Sequence, residues 1–525
     1  MFCIFALLKI LQRMKLKVLK RVLLLFLLMA AVPVWAQKLI TYDAGMGTRD
    51  PSDPDVWILY QRVKAKHEGM ILHADSALLN TVKNDFTAFG HIKIEISDTT
   101  TIYGDQLYYD GESRVLDIWD DTVRLIDGKT VLKSDHLWYD RFSSIATYDT
   151  WGITVNGDKR LVSKIGHYNS DTKMFDIYGD VELRDSNMRL ETDTLTYDMN
   201  LKEAEFWSPT HIYTDSTTMY SEWGSYNTDK RYAYSRKASE VHNGEKHITC
   251  DTLHYYEDVE FGKAIGNVVL RDTVNEIVST SRYAETDQRK RTSFVTDSVL
   301  VRFVHKDEED STGSVDTLYL HADSVVVTND STRKLQTVQA HYKVKVYRGE
   351  AQAMCDSLYY SATDSIAKLY RNPVVWYQHY QTVADTIEVK HDSAGAKVAY
   401  LRSNGFCIEQ LDREKYNQVK GRDMVVYFEE GEPWYADILG NAEMVYYLTE
   451  EDERGLKTLI GVNVGVGSDM RIYFKDREPD RVVTYGNPDM NTYPLEKLEE
   501  EKRQLGNFKW RDEERPKFPL DVFRW

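Results

Sequence analysis

The chain has 525 residues, 42% hydrophobic and 28% charged, so it can bury a core and is not disordered by composition. Its formal charge is -17, and residues 1–36 carry six Lys or Arg and no acid, which leaves -23 on the rest and excludes a dominant nucleic-acid-binding or anionic-membrane surface. Beyond residue 36 no apolar run approaches the ~20 residues of a helical span, and 35 Tyr and 11 Trp against only 11 Pro favour β-structure.

Residues 13–21 are basic, residues 22–34 are apolar, and Val34-Trp35-Ala36 ends in a small residue. Together they predict a secretory signal peptide spanning residues 1–36, cleaved after Ala36. Cys3 would leave with it, and it does not sit at the cleavage point of a lipoprotein. Residues 37–69 form a polar lead-in containing Asp50-Pro51-Ser52-Asp53-Pro54.

A repeat follows. Asp-x-Leu-x-Tyr reads Asp105 to Tyr109, and again from Asp193 to Tyr197 and from Asp251 to Tyr255; Asp135-His136-Leu137-Trp138-Tyr139 is a fourth copy. With degenerate copies, starts fall at 75, 105, 135, 165, 193, 223, 251 and 281, spaced by 28 or 30 residues. A second anchor lies 14–17 residues later, as in Phe89-Gly90-His91-Ile92, Tyr178-Gly179-Asp180-Val181 and Ile265-Gly266-Asn267-Val268. Polar turns such as Asp110-Gly111-Glu112 and Asn169-Ser170-Asp171 separate the anchors. Apolar and polar residues alternate between them, as in Leu116/Ile118 and Val123/Leu125, the pattern of half-buried strands. One hairpin cannot bury its face alone, so stacked neighbours must build the core. The predicted fold is all-β, elongated, and made of stacked antiparallel hairpins of about 30 residues. It is regular over 70–300 and looser over 301–487, where starts fall at Asp316 or Asp323, Asp356, Asp385, Asp423 and Asp469. Residues 488–525 break the pattern. A short helix is expected over 495–505, opened by Pro494 and stopped by Gly506, then an aromatic tail (Phe508, Trp510, Phe518, Phe523, Trp525) that caps the last strands near 470–474.

The chemistry-bearing residues have plain structural readings. The repeated aspartates lack the Gly-Gly-x-Gly-x-Asp nonapeptide of calcium β-rolls and read as strand-entry turns. His247, Cys250 and His254 cluster in sequence, but His247 and Cys250 differ in strand parity, so no metal site is assigned. Cys250, Cys355 and Cys407 are spaced by 105 and 52 residues, match no zinc motif, and read as isolated buried thiols, with one bridge left open. Acids are spread along the whole chain, so no catalytic pair stands out. No cofactor is implied.

Leu72-His73-Ala74-Asp75-Ser76, Phe89-Gly90-His91-Ile92-Lys93-Ile94, Ile102-Tyr103-Gly104-Asp105-Gln106-Leu107-Tyr108-Tyr109 and Gly266-Asn267-Val268-Val269-Leu270 resemble the OstA-like, or LptA-like, family of periplasmic lipopolysaccharide-transport proteins. The resemblance covers 70–300 clearly and 316–487 more weakly. It implies an open β-jellyroll whose two sheets enclose an apolar groove for lipid A acyl chains. It also implies a non-enzymatic lipid carrier or bridge in the periplasm, associated with outer-membrane biogenesis. Its partners would be lipopolysaccharide, other Lpt-type jellyrolls docked end to end, and inner- and outer-membrane transport components. On this reading the groove residues are Leu107, Leu116, Ile118, Val123, Leu137, Ile153, Phe175, Ile177, Val181, Leu195, Phe206, Leu253 and Val268, and a register slip of one would turn each outward. Small residues (Ala88, Ala146, Ala204, Ala233, Gly262) beside them suggest room for a ligand. The rival readings are a secreted structural or adhesive repeat protein with a closed core, and a polysaccharide-active β-helix enzyme.

Overall fold

The computed structural model describes residues 39–306, 315–392, 395–451, 457–475 and 477–525. The expected signal peptide lies outside them. The chain divides into two compact units, Met1–Lys173 and Met174–Trp525. Each is built of antiparallel hairpins stacked along the chain, and the helical content of the described residues is confined to 3-10 turns of three to five residues.

Strand Thr100–Asp110 illustrates how the sequence makes the fold. It buries Thr100, Ile102, Gly104, Leu107 and Tyr109. The inward spacing is two, except for one step of three, where the register shifts between Tyr103 and Gln106. Such a bulge bends the strand and keeps apolar positions inside on both halves. In the partner strand Asp85–Glu95, the bulge is Gly90-His91, with φ of 78° and 45°. In Val56–His67 it is Gln61-Arg62, at 63° and 55°. In the second unit Gly266-Asn267 and Gly440-Asn441 repeat the device. The second sequence anchor is therefore a pair of consecutive left-handed residues in mid-strand.

The first anchor is not a strand-entry turn. Asp75 lies inside strand Met70–Asn80, at that strand's own register shift, and its Oδ2 sits 2.7 Å from His91 Nδ1. Asp251 accepts from Asn267 Nδ2 at 2.9 Å, and Asp385 from Asn404 Nδ2 at 3.1 Å. The two anchors are thus partners across one hairpin, which explains their fixed spacing. A Cβ on Gly90 would approach Asp75 Oδ2 to 2.5 Å, so this bulge position requires glycine. The Asx turns stand instead at the hairpin tips: Asp110 Oδ1 accepts from the Glu112 amide at 2.9 Å, and Asn169 Oδ1 from the Asp171 amide at 2.9 Å.

Because every long strand bends, each unit has two facing layers. In the first unit, Val63–His67, Met70–Ala74, Thr100–Gly104 and Val123–Asp127 lie in one layer, and Ser76–Asn80, Gln106–Asp110 and Val115–Trp119 in the other. Residues 56–67, expected as lead-in, already form a full strand, edged by Thr41–Asp43 and Met46–Arg49.

Residues 495–505 form two short 3-10 turns, Leu495–Lys497 and Glu500–Lys502, not the expected helix. The three-residue period sets Leu495 and Leu498 on one side, and Leu498 packs on Val445, Tyr447 and Val462. Tertiary packing overrides the helical propensity of this charged segment. Nor does the tail stop at residues 470–474. It crosses the outside of one layer of the second unit, strand by strand, towards earlier parts of the chain. Gln418 donates to the Arg503 carbonyl at 2.8 Å and accepts from the Leu505 amide at 2.9 Å. Gln381 does the same with Lys509 O (2.7 Å) and Arg511 N (2.6 Å). Gln352 accepts from Arg515 Nε at 2.6 Å, Lys345 donates to the Glu514 carbonyl at 2.9 Å, and Phe523 packs on His321 with ring centroids 4.6 Å apart.

Gln381 is fully buried and both ends of its amide serve the tail backbone. Replacing it with Ala leaves one carbonyl and one amide unpaired, each costing about 1–3 kcal/mol. Q381A should therefore be cut by trypsin at Lys509 and Arg511 at least tenfold faster than the parent, with the strands of the second unit still protected. Equal cleavage rates would show that these bonds do not hold the tail.

Candidate functional site

Twelve of the thirteen expected groove residues point between the layers. Leu107, Leu116, Ile118, Val123 and Leu137 do so in the first unit; Phe175, Ile177, Val181, Leu195, Phe206, Leu253 and Val268 do so in the second, and none is more than 2% exposed. Ile153 is the exception. Strand Gly152–Asn156 starts just after Trp151, at φ 81°, and this shift turns Thr154 inward and Ile153 out. The small residues do not open a groove here. Ala146 pairs with Tyr139 on one side and Tyr168 on the other. Ala204 sits between Tyr197 and Tyr226, Ala233 between Tyr226 and Tyr255, and Gly262 beside Tyr255. These are the tyrosines of the repeat, all buried, and their rings fill the space that the small residues leave. Ala88, in another row, lies between Ala77 and Leu107.

The tyrosine hydroxyls also close the side of the sandwich opposite the bulges. In the first unit, the Tyr109 hydroxyl accepts from Arg141 Nη1 at 2.8 Å and lies 2.7 Å from His67 Nδ1 in the facing layer. Arg141 also donates to the Glu68 carbonyl at 3.0 Å, and Arg114 pairs with the Glu68 carboxylate at 2.9 Å. Tyr168 donates to Asp127 Oδ2 at 2.6 Å, and Lys173 pairs with the same oxygen. Burial, reinforced by Asp127, pushes the Tyr168 phenol far above its ordinary range, so it stays a donor at any physiological pH. In the second unit, Lys246 donates to Ser293 across the layers at 3.1 Å, and the Leu335 amide to Asn275 Oδ1 at 2.6 Å. The stretch up to about residue 335 is thus packed within and latched at its mouth.

Further along the second unit the interior changes. Ala351, Ala353, Val375, Tyr380, Cys407, Val419 and Tyr446 face inward from one layer and are only half-buried. Leu358, Tyr360, Val389, Val426 and Val482 do the same from the other. Tyr380, Cys407, Val419, Met444 and Tyr446 meet Ile472, Phe474 and Val482 around a cavity of about 70 Å³. Its one carboxylate, Glu409, is held by the Tyr380 hydroxyl at 2.9 Å, His379 Nε2 at 3.0 Å and Asn417 Nδ2 at 2.8 Å, and apart from Asn417 and Gln418 the other lining residues are predominantly apolar. The signal for this difference is legible in the repeat. Tyrosine thins out along this row: the copy at Asp323 ends in Val327, the copy at Asp356 in Tyr360 and the copy at Asp385 in Val389, and the row continues with Ala399, Val426 and Ala436. Smaller side chains neither fill the interior nor latch its mouth.

The remaining sequence candidates resolve simply. His247 faces outward and Cys250 inward on strand Lys246–Tyr256, and His254 packs on Tyr232 and Tyr234. Cys250, Cys355 and Cys407 are free thiols. Burial pushes Cys250 and Cys355 up to about 12 and Cys407 up to about 11. Thiolate is the reactive form, so the buried Cys250 and Cys355 should be inert at pH 8. In a chain beginning at residue 37, Ellman's reagent should count about 3 thiols in guanidinium and at most about 1 in the native protein within minutes. A rapid native count of two or more would contradict the burial of Cys250 and Cys355, whereas a single fast thiol would be the half-buried Cys407.

The profile of a family described as OstA-like protein matches residues 39–193 and again 171–251. No curated protein matches the chain. Among solved structures, a match is LptH, described as the LptA homologous periplasmic component of the conserved lipopolysaccharide transport device from Pseudomonas aeruginosa. It is 12% identical, over 27% of this chain and 92% of that one, with a TM-score of 0.20, too low for the overlay to speak for a common fold. The paired anchors and the stacked bent hairpins agree with the profile match, and through residues 39–251 the chain is similar to the OstA-like protein family.

Proposed function

We propose that this protein is a non-enzymatic periplasmic carrier in lipopolysaccharide transport, a long β-jellyroll that holds acyl chains between its two layers. The carrying observation is the half-exposed apolar interior between residues 351 and 482, where the tyrosine row gives way to smaller side chains. Each methylene that an acyl chain buries there contributes about 0.8 kcal/mol. The net charge of -17 offers little to lipid phosphates, so affinity rests on tails rather than head groups. The residues up to about 335, among them the thirteen named from the sequence, act on this reading as a packed spacer that admits lipid only when the mouth latches part. The short edge strand Thr41–Asp43 would pair with a further Lpt-type jellyroll by strand addition. A wholly structural repeat protein is favoured by one observation, the filled core of the first unit, and the same experiment separates the two.

A photocrosslinking phenylalanine placed at inward positions 360, 389 and 446, in cells making lipopolysaccharide, should give lipopolysaccharide adducts. Outward position 359 should give none, and packed position 118 at least tenfold fewer. Equal labelling of inward and outward positions, or none at any of them, would rule the carrier reading out.

A further inference from the structure

We propose that Glu240, His242 and His247 form a divalent-metal site suited to zinc, on the outer surface of the second unit. Strands Tyr232–Asn243 and Lys246–Tyr256 are joined by the two-residue turn Gly244-Glu245, with Gly244 at φ 55°. The last two pairs before the turn are Asn243 with Lys246 and His242 with His247. Direct opposition stacks the two imidazoles, centroids 4.0 Å apart and planes 10° from parallel. Glu240 is two residues before His242, so it shares that face. Its Oε1 lies 2.7 Å from the Nε2 atoms of both histidines. One ligand atom from each of the three residues falls within 4.8 Å of the others.

A zinc ion with bonds of about 2.0–2.2 Å needs donor atoms roughly 3.4 Å apart, a closure that small side-chain rotations supply without moving the strands. Without metal, one carboxylate oxygen serves two imidazole N–H groups; with it, both Nε2 lone pairs and the carboxylate point at the ion, and each neutral imidazole carries its proton on Nδ1 instead. Two neutral imidazoles and one carboxylate favour zinc and its late first-row neighbours over magnesium or calcium. The frame is braced, since Glu245 in the turn pairs with Arg333 and Lys246 donates to Ser293 at 3.1 Å. The same face carries Thr218 opposite His242, Tyr220 and Thr249 opposite Glu240, and Arg271 opposite His247. Three protein ligands leave a fourth position open to solvent, as in sites that exchange a ligand.

Zinc chloride titrated into the untagged chain, in competition with a chromogenic chelator, should give one tight site per chain. Cobalt(II) should give visible d–d absorption without a thiolate charge-transfer band, because the thiols are buried. H242A and H247A should each weaken binding at least tenfold and E240Q several-fold, with unchanged melting temperatures in metal-free buffer. The conservative H242N variant guards against a folding defect: it should melt like the parent and still lose the site. Magnesium at millimolar concentration should not compete. Absent stoichiometric binding, or a site that persists in H242N and H247A, would overturn the assignment.

Discussion

The whole arrangement depends on one local constraint: two consecutive residues in the left-handed region in the middle of a strand. A regular strand alternates its faces strictly, so a long hairpin could present only one apolar surface to one side. The two-residue bulge at Gly90-His91, Gln61-Arg62 or Gly266-Asn267 resets that alternation and bends the ribbon, so both halves turn apolar rows towards each other. Left-handed backbone is unfavourable for most residues. Here it is repaid by the aspartate of the neighbouring strand, which bonds the bulge at Asp75–His91 and Asp251–Asn267. The repeat carries this aspartate beside the bulge at several hairpins, while Gln61-Arg62 forms the same bulge with no such aspartate bond among the described residues.

Once the ribbon is bent, the character of the interior is decided by the row nearest the mouth. Tyrosine there does two jobs, filling the space beside a small neighbour, as Tyr139 does at Ala146, and sending a hydroxyl across to the other layer, as Tyr109 does to His67. Buried polar bonds polarise one another in a network, and Arg141, Glu68 and Arg114 belong to the same one, although Arg141 Nε itself has no partner among the described residues. Valine or alanine in that row does neither job. A single architecture therefore contains a packed stretch and an accessible one, and the change between them requires no change of topology.

How far the sequence could be read follows from this physics. The period, the strands and the inward set were legible because alternation and turn chemistry are local. Ile153 went astray because a bulge at Trp151, within the anchor Trp151-Gly152-Ile153, shifts the register by one. The repeated aspartate was legible as a position but not as a contact, since its partner lies about sixteen residues away on the next strand. Small residues were misread as empty space, because their cross-strand neighbours, the tyrosines, were known only as letters of the motif. The opposed His242 and His247 escaped notice for the same reason: their proximity comes from hairpin register, not from a recognisable spacing. The segment 495–505 carries helix-forming residues, yet packing on Val445 and Val462 decides its shape.

The tail makes its contacts in an unusual currency. Gln381 and Gln418 hold it by its main-chain amides and carbonyls, and Lys345 grasps two further carbonyls, those of Glu514 and Arg524. Recognition through main-chain groups does not depend on which side chains the segment carries. Where the tail is held only by its main chain it can therefore change side chains without losing its seat, whereas Leu498, Arg515, Val522 and Phe523 dock by their side chains and are constrained like the glutamines beneath. Among related chains, the stretches of tail held by their main chain alone should therefore drift further than the polar residues on the covered face.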